Sequence, residues 1–395
     1  MKLHKNLLQA VYQIIHAVMF ESGYADRTIE RTLKANPKWG SRDRSFIAET
    51  SYDIIRHYRL LNQVSGNRND LWNVIAAYLI YKNWNLPVYE EFSKVDRSEY
   101  LTHFKAAETN IGLSQSYTDD WVAWFKRDYP DTYEQELKAL NEPAKLVLRV
   151  NSLKINKAKL KGLCDQAGNE LQALEEYEDA LLATRKWNVF QDPLFKSGYF
   201  EIQDASSQCV AAFMDLKPGM RVIDACAGAG GKTLHMAALM KNKGHIIALD
   251  TEGWKLEELR KRARRAGAQI IETRTIDSTK VIKRLHEGCD RLLLDVPCSG
   301  TGVIRRNPDA KWKIDQAYVE RMLAVQRDLL NRYSLMLRPG GKLVYATCSV
   351  LHLENSEQIA YFCNEHPGFQ LEEEIKISPF SSGFDGFYMA RLKKI

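Results

Sequence analysis

Two cysteines stand where a thiol can do chemistry. Cys298 lies in LLLDVPCSGTGVIRRNPD and Cys348 in YATCS, each just after a short apolar run that reads as a strand. Free cysteines are commonly buried and inert, so either one alone has a purely structural reading. Two of them at the ends of adjacent strands, with Asp295 just ahead of Cys298, invite another. Carbon 5 of a pyrimidine is a weak nucleophile, and a thiolate added at carbon 6 makes the ring electron-rich enough to attack a sulfonium methyl group. The reactive form is the thiolate, only a few per cent of a thiol with a pKa of about 8.5 at neutral pH, so a positive neighbour or a helix end has to raise that fraction. Asp295 can hydrogen-bond or protonate the ring near N3 and stabilise the charge that develops on addition. The carbon 5 proton must then leave and the sulfur–carbon bond must break, which calls for a second acid or base.

A methyl donor needs a turn that brings backbone close to it. VIDACAGAGGKT joins one apolar run to a helical segment. Gly228, Gly230 and Gly231 permit a tight turn, and the helix that follows presents unpaired N–H groups. A Walker A loop requires GxxxxGK[ST]; counting back from Gly231-Lys232-Thr233 puts Cys226 where its first glycine belongs, which argues against a nucleoside triphosphate. Cofactor contacts are expected along Cys226, Ala227, Gly228, Ala229, Gly230, Gly231 and Lys232. Asp250 ends the second run, where a carboxylate can accept from ribose hydroxyls. Asp277 follows the third, suited to reading an adenine amino group, and Asp295 ends the fourth. Taken singly, Asp250 and Asp277 also suit helix caps. Together, at successive strand ends, they indicate a dinucleotide or S-adenosylmethionine site.

These residues require a scaffold that gathers strand ends. Apolar runs at 221–226, 245–250, 269–273, 291–296 and 342–347 alternate with helical segments, notably 255–266 and 318–337. They imply an α/β doubly wound parallel sheet with right-handed connections, in a domain expected over 216–395. Runs at 368–373 and 386–392 add a hairpin at one edge. Residues 1–140 lack strand patterns. Leu8, Val11, Ile15, Val18 and Met19, then Phe46, Ile47, Tyr52, Ile54, Ile55 and Tyr58, recur at helical spacing and predict an all-helical domain. Residues 141–215, with the extended stretch LVLRVNSLK and a helix over 157–167, read as a small α+β subdomain linking the two.

Composition narrows the classes. A chain of 395 residues exceeds what one core organises, and 45% hydrophobic with 27% charged residues is globular rather than disordered. Net charge is +6, and residues 1–68 hold eleven Lys or Arg against six Asp or Glu, a local excess of +5. That lobe is either a contact surface for a polyanion, releasing counterions on binding, or a solvated helical surface. Seven cysteines without a CxxC pair argue against a disulfide framework and a structural zinc site, so no metal is expected and the compartment is expected to be the reducing cytoplasm. The opening MKLHKNLLQAVYQIIHAVMF is interrupted by Gln9, Tyr12, Gln13 and His16 and lacks a cleavage site. No apolar run reaches the length of a membrane span. Arg305, Arg306, Lys311 and Lys313, with Trp312 among them, suit single-stranded RNA whose target base is unstacked, with a charged surface loop as the plain alternative. LEELRKRARR reads as a solvated helix face.

The set CAGAGGKT (226–233), Asp250, Asp277, DVPCSGTG (295–302) and ATCS (346–349), together with RVNSLK and FEIQDASSQCV, resembles the RsmB/Nop/Sun family of RNA 5-cytosine methyltransferases, from about Ala144 to the C terminus. The resemblance implies a class I methyltransferase Rossmann-like fold, S-adenosylmethionine as cofactor, the TC cysteine Cys348 as nucleophile and the PC cysteine Cys298 as the group that assists product release. The family's turn usually reads CAAPGGKT; here Gly228-Ala229 replace Ala-Pro, and a less rigid turn is expected. SRDRSFIAETSYDIIRHYRLL (41–61) resembles the NusB-like helical domain of the bacterial ribosomal RNA members, which implies ribosomal RNA as partner and leaves transfer RNA open. A DNA 5-cytosine methyltransferase would instead use Cys298 as nucleophile. An enzyme of exocyclic amines would carry Asn or Asp before Pro-Pro and an aromatic, absent from DVPCSG. A non-catalytic ribosome-assembly factor would keep the fold to bind RNA, but every polar group expected in the crevice is retained. The chain's end soon after GFYMARLKK leads us to expect no further C-terminal RNA-binding domain.

Overall fold

Leu71–Tyr81, LWNVIAAYLIY, forms the inner helix of the first unit, because a helix that is apolar all round has no face to offer water. Asp70 fixes its start by accepting the Trp72 N–H at 3.0 Å. Lys5–Phe20, Ser41–Arg56 and Tyr58–Val64 share its core, burying Leu8, Val11, Ile15 and Val18 from the first and Ile47, Ile54 and Ile55 from the second. The structure, a computed structural model, describes residues 3–66 and 70–395. Lys2 and Arg68, counted above in the basic segment, lie outside the described residues.

This unit comprises Met1–Glu142 together with Ile304–Gln316, a segment supplied from the middle of the other unit. The finding corrects the expectation of an RNA-facing loop. Lys311 is fully buried, donating to the carbonyls of Arg56 at 3.0 Å and Gln115 at 3.1 Å and to the Asn141 side chain, with its ammonium 3.9 Å from the centre of the Tyr117 ring. Burial holds its pKa well below the usual lysine value, and Arg56 adds to the effect. Arg305 donates to Ala139 O at 3.0 Å, Lys313 to Gly23 O at 2.7 Å, and the Trp312 indole to Ile55 O at 2.8 Å. These donors satisfy buried backbone carbonyls, and the aromatic belongs to a core instead of a base-stacking platform.

The second unit comprises Pro143–Val303 and Ala317–Ile395. Its first part carries strands β1 (Val147–Val150), β2 (Leu171–Ala173), β3 (Ala180–Ala183) and β4 (Phe200–Ile202), antiparallel in the order β2-β3-β1-β4. The rest holds β5 (Arg221–Asp224), β6 (His245–Asp250), β7 (Ile271–Thr275), β8 (Cys289–Asp295), β9 (Leu337–Thr347), β10 (Phe369–Ile377) and β11 (Phe387–Lys394), in the order β10-β11-β9-β8-β5-β6-β7. Strands β5 to β9 are parallel, and β11 runs antiparallel between β9 and β10. This is the doubly wound, Rossmann-like sheet expected from the sequence. Leu292, Leu293 and Leu294 are all buried, as continuous apolar runs in a doubly covered parallel sheet must be. The chain winds from β5 outward to β7 and returns to β8 beside β5, which makes the carboxyl ends of β5 and β8 the switch point where such sheets bind ligands.

Boundaries moved where local chemistry intervened. The third strand begins at Ile271, two residues later than expected, because the Gln269 N–H is taken by the Asn242 side chain at 2.9 Å. The helix expected over 318–337 ends at Tyr333, after which a short 3-10 turn leads directly into β9. Edge strand β10 is almost wholly exposed and reads LEEEIK through its middle, a charged rim that discourages pairing with another chain.

Candidate active site

The glycine turn leaves β5 at Asp224 and enters the helix Gly231–Leu239. Gly228 has φ +53° and Gly230 φ +85°, the left-handed region that favours glycine. A Cβ on Gly230 would lie 2.5 Å from Leu259 Cγ, so this glycine lets the turn seat against the helix Gly253–Ala266. At Gly228 and Gly231 a Cβ would meet nothing, leaving open space for a ligand along the turn. Asp250, at the end of β6, accepts the Gly228 N–H at 2.9 Å through one oxygen and the Glu252 N–H at 2.9 Å through the other. Each oxygen keeps a lone pair for a ribose hydroxyl. The turn and this carboxylate therefore fit an adenosine-containing cofactor. Asp277 is exposed two residues beyond β7, accepting from the Ser278 hydroxyl at 3.0 Å. Cys226 lines the turn as an inert thiol, its pKa driven well up by burial and by Asp224, Asp295 and Asp250.

Two arginines hold the turn from outside. Arg262 donates to Ala229 O at 2.7 Å, and Arg149 to Gly231 O. Buried Glu201 anchors Arg262 at 3.0 Å and Arg265 at 2.6 Å. The run LEELRKRARR is thus divided: Arg260, Lys261 and Arg264 are exposed, but Arg262 and Arg265 turn inward, so a solvated face describes only part of it. Below the turn, Asp224 accepts from the Thr233 hydroxyl at 2.6 Å while its other oxygen is buried without a partner. Burial pushes the Asp224 pKa up to about 7.

At the ends of β8 and β9 the two thiols meet. Cys298 Sγ lies 3.5 Å from Cys348 Sγ, both half-buried and neither in a disulfide. Lys232 Nζ pairs with Asp295 at 2.6 Å and sits 5.2 Å from the centre of the Phe387 ring. Burial works against the Lys232 charge, yet Asp295, with Cys348 and Asp224 adding to it, raises its pKa above the ordinary lysine value. A firmly charged ammonium is the positive neighbour that a thiolate requires. Its hydrogen bond to Cys348 first, and then burial, hold the Cys298 thiol well above the ordinary cysteine value. The two loops are locked where Gly302 donates to Cys348 O at 2.9 Å and accepts from Gly386 N at 2.9 Å. A Cβ on Gly302 would lie 2.3 Å from Gly386 O, so no other residue fits there.

A family model described as 16S rRNA methyltransferase RsmB/F matches residues 211–393, and one described as an RsmF/B-like ferredoxin-like domain matches 117–190. The probable ribosomal RNA small subunit methyltransferase B of Synechocystis is 29% identical over 98% of this chain and 99% of its own. The Pectobacterium atrosepticum ribosomal RNA small subunit methyltransferase B is 34% identical over 75% of this chain and 70% of its own. This chain belongs to the RsmB/F family of ribosomal RNA methyltransferases. The Bacillus subtilis relative, a probable methyltransferase B, is 35% identical, and the chain spans 66% of its length. Among solved structures, a methyltransferase homologue from Pyrococcus horikoshii has a TM-score of 0.65 at 25% identity, covering 72% of this chain and 98% of that one. The structure of PH0851 superposes over 100% of both chains with a TM-score of 0.79 at 23% identity, a likeness of fold. Members of the RsmB/F family take the methyl group from S-adenosylmethionine and act on RNA. No described helix is long and apolar enough to cross a membrane, and the described residues contain no cluster of metal-ligating side chains.

Of the residues expected at the site, Cys298 and Cys348 form one contact, Lys232 and Asp295 a second, and Gly228 and Asp250 a third. Sequence reasoning missed Asp224, Arg149, Arg262 and the buried Glu354. Asp224 alone carried a usable signal, as a carboxylate ending a strand at the head of a glycine turn.

Proposed function

We propose that this chain methylates carbon 5 of a cytosine in ribosomal RNA of the small subunit, in the cytoplasm, through a transient bond between Cys348 Sγ and carbon 6 of the base. The reading is carried by the 3.5 Å approach of Cys348 to Cys298, with the charged Lys232 held by Asp295 nearby. Bound S-adenosylmethionine, held by residues 226–232 and Asp250 with Asp277 at the adenine, supplies an electrophilic methyl group. Cys348, stabilised as thiolate by Lys232 and by the Cys298 S–H, adds to carbon 6 while the negative charge that develops toward N3 is met by a proton from the Lys232–Asp295 pair.

Release then exploits the pair. Cys298 is held protonated chiefly by its hydrogen bond to Cys348. Once Cys348 is a neutral thioether its share of that restraint is gone, and the Cys298 proton passes to solvent. The Cys298 thiolate takes the carbon 5 proton, the C–H pair becomes the carbon 5–carbon 6 double bond, and the C–S pair returns to Cys348 as thiolate. One cysteine thus serves as donor early and base late.

Cys348→Ser is expected to abolish both methylation and covalent RNA adducts, and Cys298→Ala to trap the adduct, read as a protein–RNA band that survives denaturation. Adducts kept by Cys348→Ser and lost in Cys298→Ala would reverse the roles. Bisulfite sequencing of ribosomal and transfer RNA, with and without the protein, identifies the substrate and position.

A further inference from the structure

Glu354 is a fully buried carboxylate in the loop after Cys348, and its bonds converge on the residues either side of the other cysteine. It accepts the Ser299 N–H at 2.7 Å and also the Ser299 hydroxyl. Gln326 Nε2 bridges from Glu354, at 2.9 Å, to the carbonyl of Pro297, at 3.1 Å. Gln358 holds Gln326 in turn, its Nε2 donating to Gln326 Oε1 at 3.0 Å. The Glu354 backbone carbonyl accepts the Tyr345 hydroxyl at 2.7 Å, fixing the loop to β9. Both neighbours of Cys298 are therefore fastened, with the Cys298 sulfur 3.5 Å from that of Cys348. A buried carboxylate is costly unless hydrogen-bonded, and here the stabilising donors all come from one catalytic loop and the helix Gln316–Tyr333 beneath it.

We propose that Glu354 is a positioning residue for product release: it clamps Pro297-Cys298-Ser299 so that the Cys298 sulfur stays within reach of the base bonded to Cys348. The proposal rests on the assignment of Cys298 to release. A rigid clamp on Cys298 matters more for release than for addition, since the attacking sulfur is that of Cys348, which directly follows β9. Loss of the clamp should therefore slow the late step selectively.

The test uses the full chain with Glu354→Gln, which keeps the side-chain shape and one acceptor but cannot hold both Ser299 donors as a charged group, and Ser299→Ala as a milder second variant. Glu354→Gln is expected to accumulate the covalent RNA adduct in the manner of Cys298→Ala, to lower kcat about tenfold and to leave KM for S-adenosylmethionine within twofold, as one or two charged hydrogen bonds predict. Ser299→Ala is expected to change the same two readouts in the same direction by less. Two outcomes overturn the proposal: adducts that stay at the parent level in Glu354→Gln while Cys298→Ala traps them, or a raised KM for the cofactor with unchanged kcat. If Cys298→Ala itself traps nothing, it is the release assignment that fails.

Discussion

Asp224 carries an acid where solvent cannot reach it, and its titration has a measurable consequence. Its ordinary pKa is 3.8, and burial lifts it to about 7 in the folded chain. Between those values the folded state binds a proton that the unfolded state has lost. Stability therefore falls as pH rises through that window, and the cost is complete above about 7. Asp224→Asn keeps an acceptor for the Thr233 hydroxyl and removes the ionisation. The variant is expected to melt several degrees above the parent near pH 8, with the gap closing toward pH 4. Thermal melts followed by circular dichroism across that range check it, and parallel pH profiles for the two proteins would contradict the assignment.

At the scale of elements, the turn is rigidified by arginines instead of by its own sequence. Gly228-Ala229 stand where the resemblance leads one to expect Ala-Pro, and the carbonyl of Ala229 is held by Arg262, which Glu201 orients. Arg262→Ala removes the charge-assisted bond to the turn, commonly about 1.5–3 kcal/mol, together with one of the two arginines that Glu201 holds. Affinity for S-adenosylmethionine is expected to fall about tenfold, measured by calorimetry, with kcat at saturating cofactor little changed; unaltered affinity would mean that the turn holds its shape unaided. The same element explains what could be read in advance. Parallel strands β5 to β9 announce themselves because burial on both faces leaves runs such as RLLLD and KLVYAT, and the residues at their ends must then share a crevice. Arg262 could not be found that way, since the period of its helix places charges on every side and only the neighbouring Glu201, sixty residues earlier, decides which face turns inward. Glu354 was equally hidden: nothing in ATCSVLHLENSEQ says that its carboxylate turns inward to Ser299.

For the whole molecule, the decisive feature is that Ile304–Gln316 belongs to the helical unit although it follows the catalytic loop in sequence. A basic stretch beside an aromatic looked suited to RNA, but charge in sequence does not reveal whether a lysine meets phosphates or carbonyls. Lys311 meets carbonyls, Trp312 completes a core, and Ile304 is fully buried. The loop bearing Cys298 therefore passes, within a few residues, into chain whose fold depends on residues 1–142. A fragment beginning at Pro143 would leave Lys311 without the acceptors at Arg56, Gln115 and Asn141, and would leave Trp312 without its core. Such a fragment is expected to melt well below the full chain and to form no Cys348 adduct even with RNA in excess, checked by calorimetry and adduct trapping. Adding residues 1–142 in trans is expected to restore part of the adduct yield, because the acceptors return with them. A fragment that melts at the parent temperature and traps RNA alone would show the segment to be self-sufficient. In full-length protein, Lys311→Met tests the same dependence locally: it keeps most of the side-chain volume but strands several buried carbonyl acceptors. It is expected to destabilise by about 1–3 kcal/mol while the Cys298–Cys348 contact, and so adduct chemistry below the melting range, persists.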